Sequence, residues 1–174
     1  SLLTHSATYG IATTYNITAS NAPTSYSASG LPAGLSVNTS TGAITGTPSA
    51  APNTYNVTIG ASNGGGAGPT STLVITISPK PITITATGPA KVYGTGLADG
   101  TYTTDFTVSG GMAFSETITS VFLTMNAAAA LATTNAGLSY VVTPSSAAGG
   151  GGFLASNYSI TYTAFNGTVS PKPI

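Results

Sequence analysis

The sequence predicts an all-β fold of two tandem antiparallel β-sandwich modules, on three observations. Short segments alternate apolar and polar side chains with a period of two, the pattern of a strand with one buried face. Clusters of Gly, Pro, Asn and Thr separate these segments, as in sandwiches of short strands. The pentapeptide Ser-Pro-Lys-Pro-Ile occurs twice, beginning at Ser78 and at Ser170.

The first module shows the alternation most clearly. Its predicted buried faces are Tyr15, Ile17 and Ala19, then Tyr55, Val57, Ile59 and Ala61, then Leu73, Ile75 and Ile77. Turn signals lie between these segments, at residues 31–34, 41–42, 46–48 and 63–66. We therefore expect short strands joined by tight connections.

The second module repeats the pattern. Its predicted strand residues are Ile82, Ile84 and Ala86, then Phe106 and Val108, then 121–123, then 140–142, then Tyr158, Ile160, Tyr162 and Ala164. Asn166-Gly167 is a dipeptide typical of tight hairpin turns, so it predicts a turn there. The alanine-rich segment 126–132 is the only helix candidate, and it is short enough that we expect one turn or a loop.

The repeated pentapeptide predicts the domain boundaries. We assign 1–78 to the first sandwich, 79–81 to a Pro-Lys-Pro linker, 82–170 to the second sandwich and 171–174 to the start of a further linker. Two prolines around one lysine disfavour helix and favour a stiff, extended connection. We expect a chain cut from a longer tandem array.

Charge is almost absent, which excludes several functions. The chain has three Lys, three acids (Asp99, Asp105, Glu116) and no Arg, so 3% of its residues are charged against about 25% in a typical domain. Nucleic-acid binding needs a basic surface, and so does adsorption to an anionic membrane. Cysteine is absent, which excludes disulfides and thiolate chemistry. No apolar stretch reaches the ~18–20 residues of a membrane helix, and the N-terminal residues are too short an apolar run for a signal peptide.

Residues 5–78 resemble the bacterial "Putative Ig domain" family. The resemblance is carried by the segment Gly-Leu-Pro-Ala-Gly-Leu-Ser-Val at 30–37, by Ser-Thr-Gly-Ala-Ile-Thr-Gly-Thr-Pro at 40–48, and by 53–63. Residues 82–170 are similar to the MBG or YDG-type repeat of bacterial surface proteins, on 82–86, 91–94, 157–162 and 166–169. These resemblances imply Ig-like sandwich modules in large secreted adhesins, usually as spacers, and no catalytic site. Segments 127–134 and 149–152 depart from the usual compact form of the MBG or YDG-type repeat.

Candidate catalytic and metal sites are sparse, and we predict none. The sole histidine, His5, has no acid in its module to orient it, so a Ser-His-Asp triad is not expected and His5 is interpreted as a surface residue of a mobile N-terminal segment. Asp99, Asp105 and Glu116 could supply the two carboxylates of a glycosidase, and Asp99 or Asp105 could hold a weak calcium site completed by carbonyls, but these acids are better explained as turn and edge residues.

A Lys–Asn cross-link is a further hypothesis. Lys91, Asn157 or Asn166, with Glu116 as proton shuttle, would supply the chemistry of an intramolecular isopeptide bond. The alternative is that these are ordinary strand-end residues. A mass short by one ammonia would distinguish the two.

The remaining motifs favour plain structural explanations. Five Asn-x-Ser/Thr sequons, at Asn16, Asn38, Asn56, Asn157 and Asn166, are few enough for composition to explain them. Glycine runs 64–66 and 149–152 are interpreted as flexible loops or as places where another backbone packs closely. Tyr26, Tyr93, Tyr102 and Tyr140 could stack on sugar rings if exposed, although tyrosine on a sandwich face is more often packed.

The sequence therefore predicts a non-catalytic, extracellular structural module. The preferred hypothesis is a spacer or stalk segment of a repetitive bacterial cell-surface adhesin. The alternatives are a subunit of a self-assembling extracellular filament or layer, and a carbohydrate-binding module. The expected partners are neighbouring modules of the same chain or copies of itself, with no cofactor, no metal, no nucleic acid and no membrane insertion.

Overall fold

The computed structural model describes residues 3–173, which fold into two compact units, each nearly all β. The boundary lies between Lys80 and Pro81. The predicted all-β class with two tandem Ig-like sandwiches is confirmed.

Unit 1 is built from eight strands in two sheets. The strands are β1 (Leu3–Thr8), β2 (Thr13–Asn16), β3 (Ser25–Ser29), β4 (Leu35–Val37), β5 (Ala43–Gly46), β6 (Asn53–Asn63), β7 (Gly66–Ala67) and β8 (Ser71–Ser78). One sheet has the order β1-β8-β6-β3, with β7 paired to the end of β6, and the other has the order β2-β5-β4. The polar residues of β6 and β8 alternate with buried ones, as the period of two predicts.

The core of unit 1 lies on one face of these strands. Its buried side chains include Val57 and Ile59 on β6, Leu73, Ile75 and Ile77 on β8, and Ile44 on β5. These are the apolar positions that the alternation predicted, with Ile44 added from the smaller sheet. Tyr15 and Tyr55 are only partly buried.

One strand pair departs from the antiparallel prediction. The first strand, β1, pairs in parallel with the last strand, β8, over six residue pairs from Leu3–Leu73 to Thr8–Ser78. Local sequence does not encode this, because parallel partners are joined by the whole of the intervening module.

Unit 2 forms a four-stranded and a three-stranded sheet. Its strands are β9 (Lys80–Ala86), β10 (Gly100–Tyr102), β11 (Phe106–Ser109), β12 (Thr117–Met125), β13 (Ser139–Gly150), β14 (Tyr158–Thr163) and β15 (Phe165–Thr168). The sheet orders are β10-β12-β13-β15 and β11-β9-β14. Side chains of both sheets share one core, which includes Ile84 and Ala86 of β9, Val121 and Leu123 of β12, and Tyr140 and Val142 of β13. Facing sheets with a common core define a sandwich.

The helix candidate is a single turn, α1 (Ala127–Ala130). Asn126 caps it, since its Oδ1 accepts hydrogen bonds from the backbone N–H groups of Ala129 and Val141. The cap and the burial of Ala129 hold a turn that could not persist alone.

Two glycine motifs differ from their predicted structure. Asn166-Gly167 does not form a turn but lies inside β15, with Gly167 opposite Tyr140 of β13. Gly149 and Gly150 continue β13 rather than forming a loop, and Gly149 lies so close to the carbonyl oxygen of Thr117 that a Cβ would overlap it. In both places glycine is needed for close packing, which was the alternative explanation for the 149–152 run.

The connection between the units is very short. Only Pro79 separates the end of β8 from the start of β9, so Lys80 and Pro81, predicted as linker, are counted in a strand.

Candidate functional site

The predicted reactive residues lie apart from one another. His5 lies in the ordered strand β1, opposite Ile75, so its assignment to a mobile segment was wrong. Its Nε2 lies 2.7 Å from the Oγ1 of Thr13, and its ring packs against Tyr15 at 5.5 Å between centroids. Residues 1–79 contain no acid, so the His5–Thr13 pair has no carboxylate from its own unit to orient it.

The acids serve structural roles at separate places in unit 2. The Oδ1 of Asp99 accepts a hydrogen bond of 2.7 Å from the backbone N–H of Met125. Asp105 precedes β11 with a positive φ of 66°. Glu116 is buried and its Oε2 accepts a hydrogen bond from the Tyr158 hydroxyl. Within residues 3–173, no three His, Cys, Asp or Glu side chains converge on a possible metal position.

Lys91 is the most informative of the predicted residues, because it is 1% exposed. Its Nζ donates hydrogen bonds to the carbonyl oxygens of Thr95 and, at 2.9 Å, of Leu131. Leu131 is the residue that caps the C-terminal end of α1. Lys91 therefore fastens the loop that follows β9 to the end of α1. Sequence reasoning considered Lys91 as the lysine of a cross-link or as an ordinary strand-end residue, and it did not predict the burial, since nothing local distinguishes a buried lysine from an exposed one.

The structure does not assemble the proposed Lys–Asn cross-link. Lys91 lies beside Leu131, beyond the end of β12, whereas Glu116 lies just before its start. Nine residues of strand separate the two groups by about 25–30 Å at ~3.3 Å per residue. Asn157 is buried with its Oδ1 unpartnered but adjoins Tyr158 at the Glu116 end, and Asn166 is exposed on β15.

Removing the Lys91 amine should destabilise unit 2. We expect Lys91→Met to lower the free energy of unfolding by about 1–3 kcal/mol, because the carbonyl oxygen of Thr95 loses the Lys91 donor and that of Leu131 keeps only the N–H of Thr134. Lys172→Met is the matched control, since Lys172 is exposed, and it should change stability by less than ~0.5 kcal/mol. Urea titration followed by circular dichroism measures both. Equal effects of the two substitutions would show that the hydrogen bonds of the Lys91 amine contribute nothing to the stability of unit 2.

Most of the tyrosines considered for sugar stacking are packed against other side chains of their unit. Tyr140 is 1% exposed and its hydroxyl donates to the carbonyl oxygen of Pro89. Burial raises the pKa of the Tyr140 phenol above its ordinary value, partly opposed by the Lys91 backbone. Tyr102 packs against the core of unit 2, and Tyr26 is half-buried. Only Tyr93 presents much of its ring, with 43% exposed.

Unit 1 contains a cavity of about 520 Å³. Its apolar wall includes Leu3, Ile17 and Ile59, and its rim carries amides such as Asn63, whose Nδ2 donates to the carbonyl oxygen of Asn21. The residues that line it bear no charge and no aromatic ring, and its polar side chains are the hydroxyls and amides of Ser, Thr and Asn.

The arrangement with a clear physical consequence is the path of the backbone through each unit. In unit 1, β1 begins beside the start of β8, and β8 ends beside the end of β1. The chain therefore enters at one end of the module and leaves at the opposite end.

In unit 2, too, the chain enters at one end and leaves at the opposite end. At its entry end, the backbone of Gly110 packs against Pro81 and Ile82, and the carbonyl oxygen of the nearby Ala113 accepts a hydrogen bond from the N–H of Glu116. At its exit end, the N–H of Ser170 donates to the carbonyl oxygen of Lys91, and the N–H of Tyr93 donates to that of Ser170. The length of β12 separates the two ends, because Glu116 precedes its first residue and α1 follows its last.

Comparison with known proteins finds a family match for the first unit only. Residues 1–78 match the family model He_PIG, described as "Putative Ig domain". This supports the resemblance seen in residues 5–78, and it fits a structural rather than a catalytic module. The resemblance of residues 82–170 to the MBG or YDG-type repeat stays an expectation. No curated protein matches the chain.

Several solved structures share local similarity. A "putative alpha-galactosidase/melibiase" from Bacteroides fragilis is 27% identical over 45% of this chain and 18% of its own, with a TM-score of 0.40. Protocadherin gammaB7 EC3-6 is 11% identical, and the match covers 98% of this chain and 46% of the protocadherin chain, with a TM-score of 0.42. The fibronectin(III)-like modules of Clostridium thermocellum CbhA are 14% identical, and the match covers 98% of this chain and 91% of theirs, with a TM-score of 0.31. The chain thus spans less than a fifth of the galactosidase that it matches. Among residues 3–173, no helix has the length and hydropathy to cross a bilayer.

Proposed function

We propose that this chain is a non-catalytic spacer segment of a repetitive bacterial cell-surface adhesin, located outside the cell. The observation that supports it most is the opposite placement of entry and exit in each unit. A module of this kind adds its full length to an extended polypeptide. Modules whose ends lay side by side would instead fold the chain back on itself.

The parallel β1–β8 pair suits this role mechanically. Tension between the two ends of unit 1 acts along these strands, so all six residue pairs resist together in shear. The backbone hydrogen bonds of a parallel pair are evenly spaced along the strands, so a load applied along the strands is shared among them. The sandwich needs no reactive side chain to do this.

A filament subunit is the second candidate, and one feature favours it. The edge strand β3 carries no charge and no proline, whereas proteins commonly protect edges with lysine or proline. Copies of the chain could therefore add strands to one another at β3, beyond Tyr26, whose N–H already donates to the carbonyl oxygen of Thr39.

The mass of the native polypeptide decides between the two candidates. An antiserum against residues 1–174 should detect, on denaturing analysis of the source cells, a polypeptide several times larger than 16.9 kDa. Protease treatment of intact cells should remove it, because the spacer is proposed to lie outside. A band near 16.9 kDa that assembles into fibres would support the filament and overturn the spacer, and a protease-resistant intracellular band would overturn both.

A further inference from the structure

Unit 2 exposes three apolar side chains at its exit end. Leu131 is 57% exposed, Leu138 54% and Tyr93 43%. We call these three residues the exit patch. The segments that carry them, 92–98 and 127–138, contain no charged residue.

Backbone hydrogen bonds gather the exit patch around the departing chain. The N–H of Tyr93 donates to the carbonyl oxygen of Ser170 at 2.9 Å, and the N–H of Val169 donates to that of Leu138 at 2.9 Å. The N–H of Gly94 reaches Ala132, next to Leu131. The side-chain stem of Lys172 lies beside Gly94, so the second Pro-Lys-Pro sequence leaves along this patch.

The entry end of the same unit is also apolar. Phe114, 56% exposed, and Leu154, 59% exposed, lie there, near Glu116 and Tyr158 along the chain. The outward face of β14 between the two ends is polar instead, with Ser159, Thr161 and Thr163, whereas β12 exposes one apolar side chain there, Phe122 at 37%. Exposed apolar side chains that are grouped together are typical of a contact surface.

We infer that the exit patch is the contact surface for a further β-sandwich module that follows the second Ser-Pro-Lys-Pro-Ile. The first copy of this pentapeptide leads from β8 into β9 with a single residue between the strands. A second copy that does the same would bring the next module directly onto Tyr93, Leu131 and Leu138. The segments that carry the patch are uncharged, which fits an apolar partner surface, and Lys172 beside Gly94 is the charged side chain that borders it. This inference rests on the proposed spacer function.

Thiol labelling tests the inference, because the chain has no cysteine of its own. Leu138→Cys places one thiol in the exit patch, and Thr161→Cys places a control thiol on the exposed face of β14. Each variant is made both in residues 1–174 and in the native polypeptide, and its reaction with a maleimide is timed. We expect labelling of Leu138→Cys to slow about tenfold or more in the native polypeptide, by burial, with Thr161→Cys unchanged.

Each other outcome overturns the inference in a distinct way. If Leu138→Cys reacted equally fast in residues 1–174 and in a native polypeptide with a sandwich after residue 174, the docking inference would be wrong. The proposed spacer function would be unaffected by that result. Concentration-dependent protection in residues 1–174 alone would mean that a second copy covers the patch. A native polypeptide with no module after Ile174 would contradict the docking and the spacer together.

Discussion

Replacing Gly46 with alanine is expected to unfold unit 1 under mild conditions. Gly46 has a φ of 140°, which side chains other than glycine rarely adopt, and an added Cβ would lie 2.1 Å from the carbonyl oxygen of Gly34. Gly34 is equally constrained, with a φ of 90° and the carbonyl oxygen of Thr47 at 2.1 Å from its own Cβ position. The obstructing atoms are backbone, so they cannot rotate away. We expect a loss of about 3–5 kcal/mol, a large part of a typical domain's stability.

Gly64→Ala is the matched control for this change. No atom lies within 4 Å of its Cβ position and its φ is not in the positive region. It should alter the stability of unit 1 by less than ~0.5 kcal/mol. Thermal unfolding followed by circular dichroism should show the transition of unit 1 fall by about 20 °C in Gly46→Ala and that of unit 2 stay constant. Equal melting curves for Gly46→Ala and Gly64→Ala would refute the close packing of β4 on β5.

The second large effect is expected at Gly167 in unit 2. A Cβ there would lie 2.3 Å from Cζ of Tyr140, whose ring is buried and whose hydroxyl is held by the Pro89 carbonyl oxygen. The ring cannot yield without losing that hydrogen bond and disturbing the core. We expect Gly167→Ala to cost about 3–4 kcal/mol through overpacking and the lost bond.

Two variants separate the causes of that effect. Gly100→Ala is the control, because its nearest neighbour is the Tyr102 ring at an ordinary 3.8 Å. Gly167→Ala combined with Tyr140→Leu removes the obstructing hydroxyl end of the ring, so the added cost of the alanine should shrink to about 1 kcal/mol in that background. If the cost of Gly167→Ala were the same with and without Tyr140, the ring would not be the reason for glycine here.

Sequence predicted the parts of this fold that depend on local pattern. The alternation at Val57–Ile59 and at Leu73–Ile77 located β6 and β8, and the apolar positions were the buried ones. It also predicted one turn or a loop near Ala127, where the structure has a single turn, because a run of alanines this short cannot sustain a helix alone.

What escaped prediction depends on residues far apart in the chain. The dipeptide Asn166-Gly167 has a strong local preference for a turn, yet the glycine is required by the ring of Tyr140, about 27 residues earlier. The burial of Lys91 depends on carbonyl oxygens as distant as that of Leu131. The parallel pairing of β1 with β8 joins the two ends of the module, so no local segment could reveal it.

The central claim is that load enters and leaves each unit at opposite ends, and single-molecule pulling tests it most directly in unit 1. Tension applied between the N-terminus and Ser78 should shear the β1–β8 pair. Tension between the N-terminus and a thiol at Thr70→Cys, beside the start of β8, should peel the same strands apart one pair at a time. We predict that the first geometry needs about twofold more force or greater at equal loading rate, since all six pairs resist together. Equal forces, or a lower force between the N-terminus and Ser78, would contradict the account.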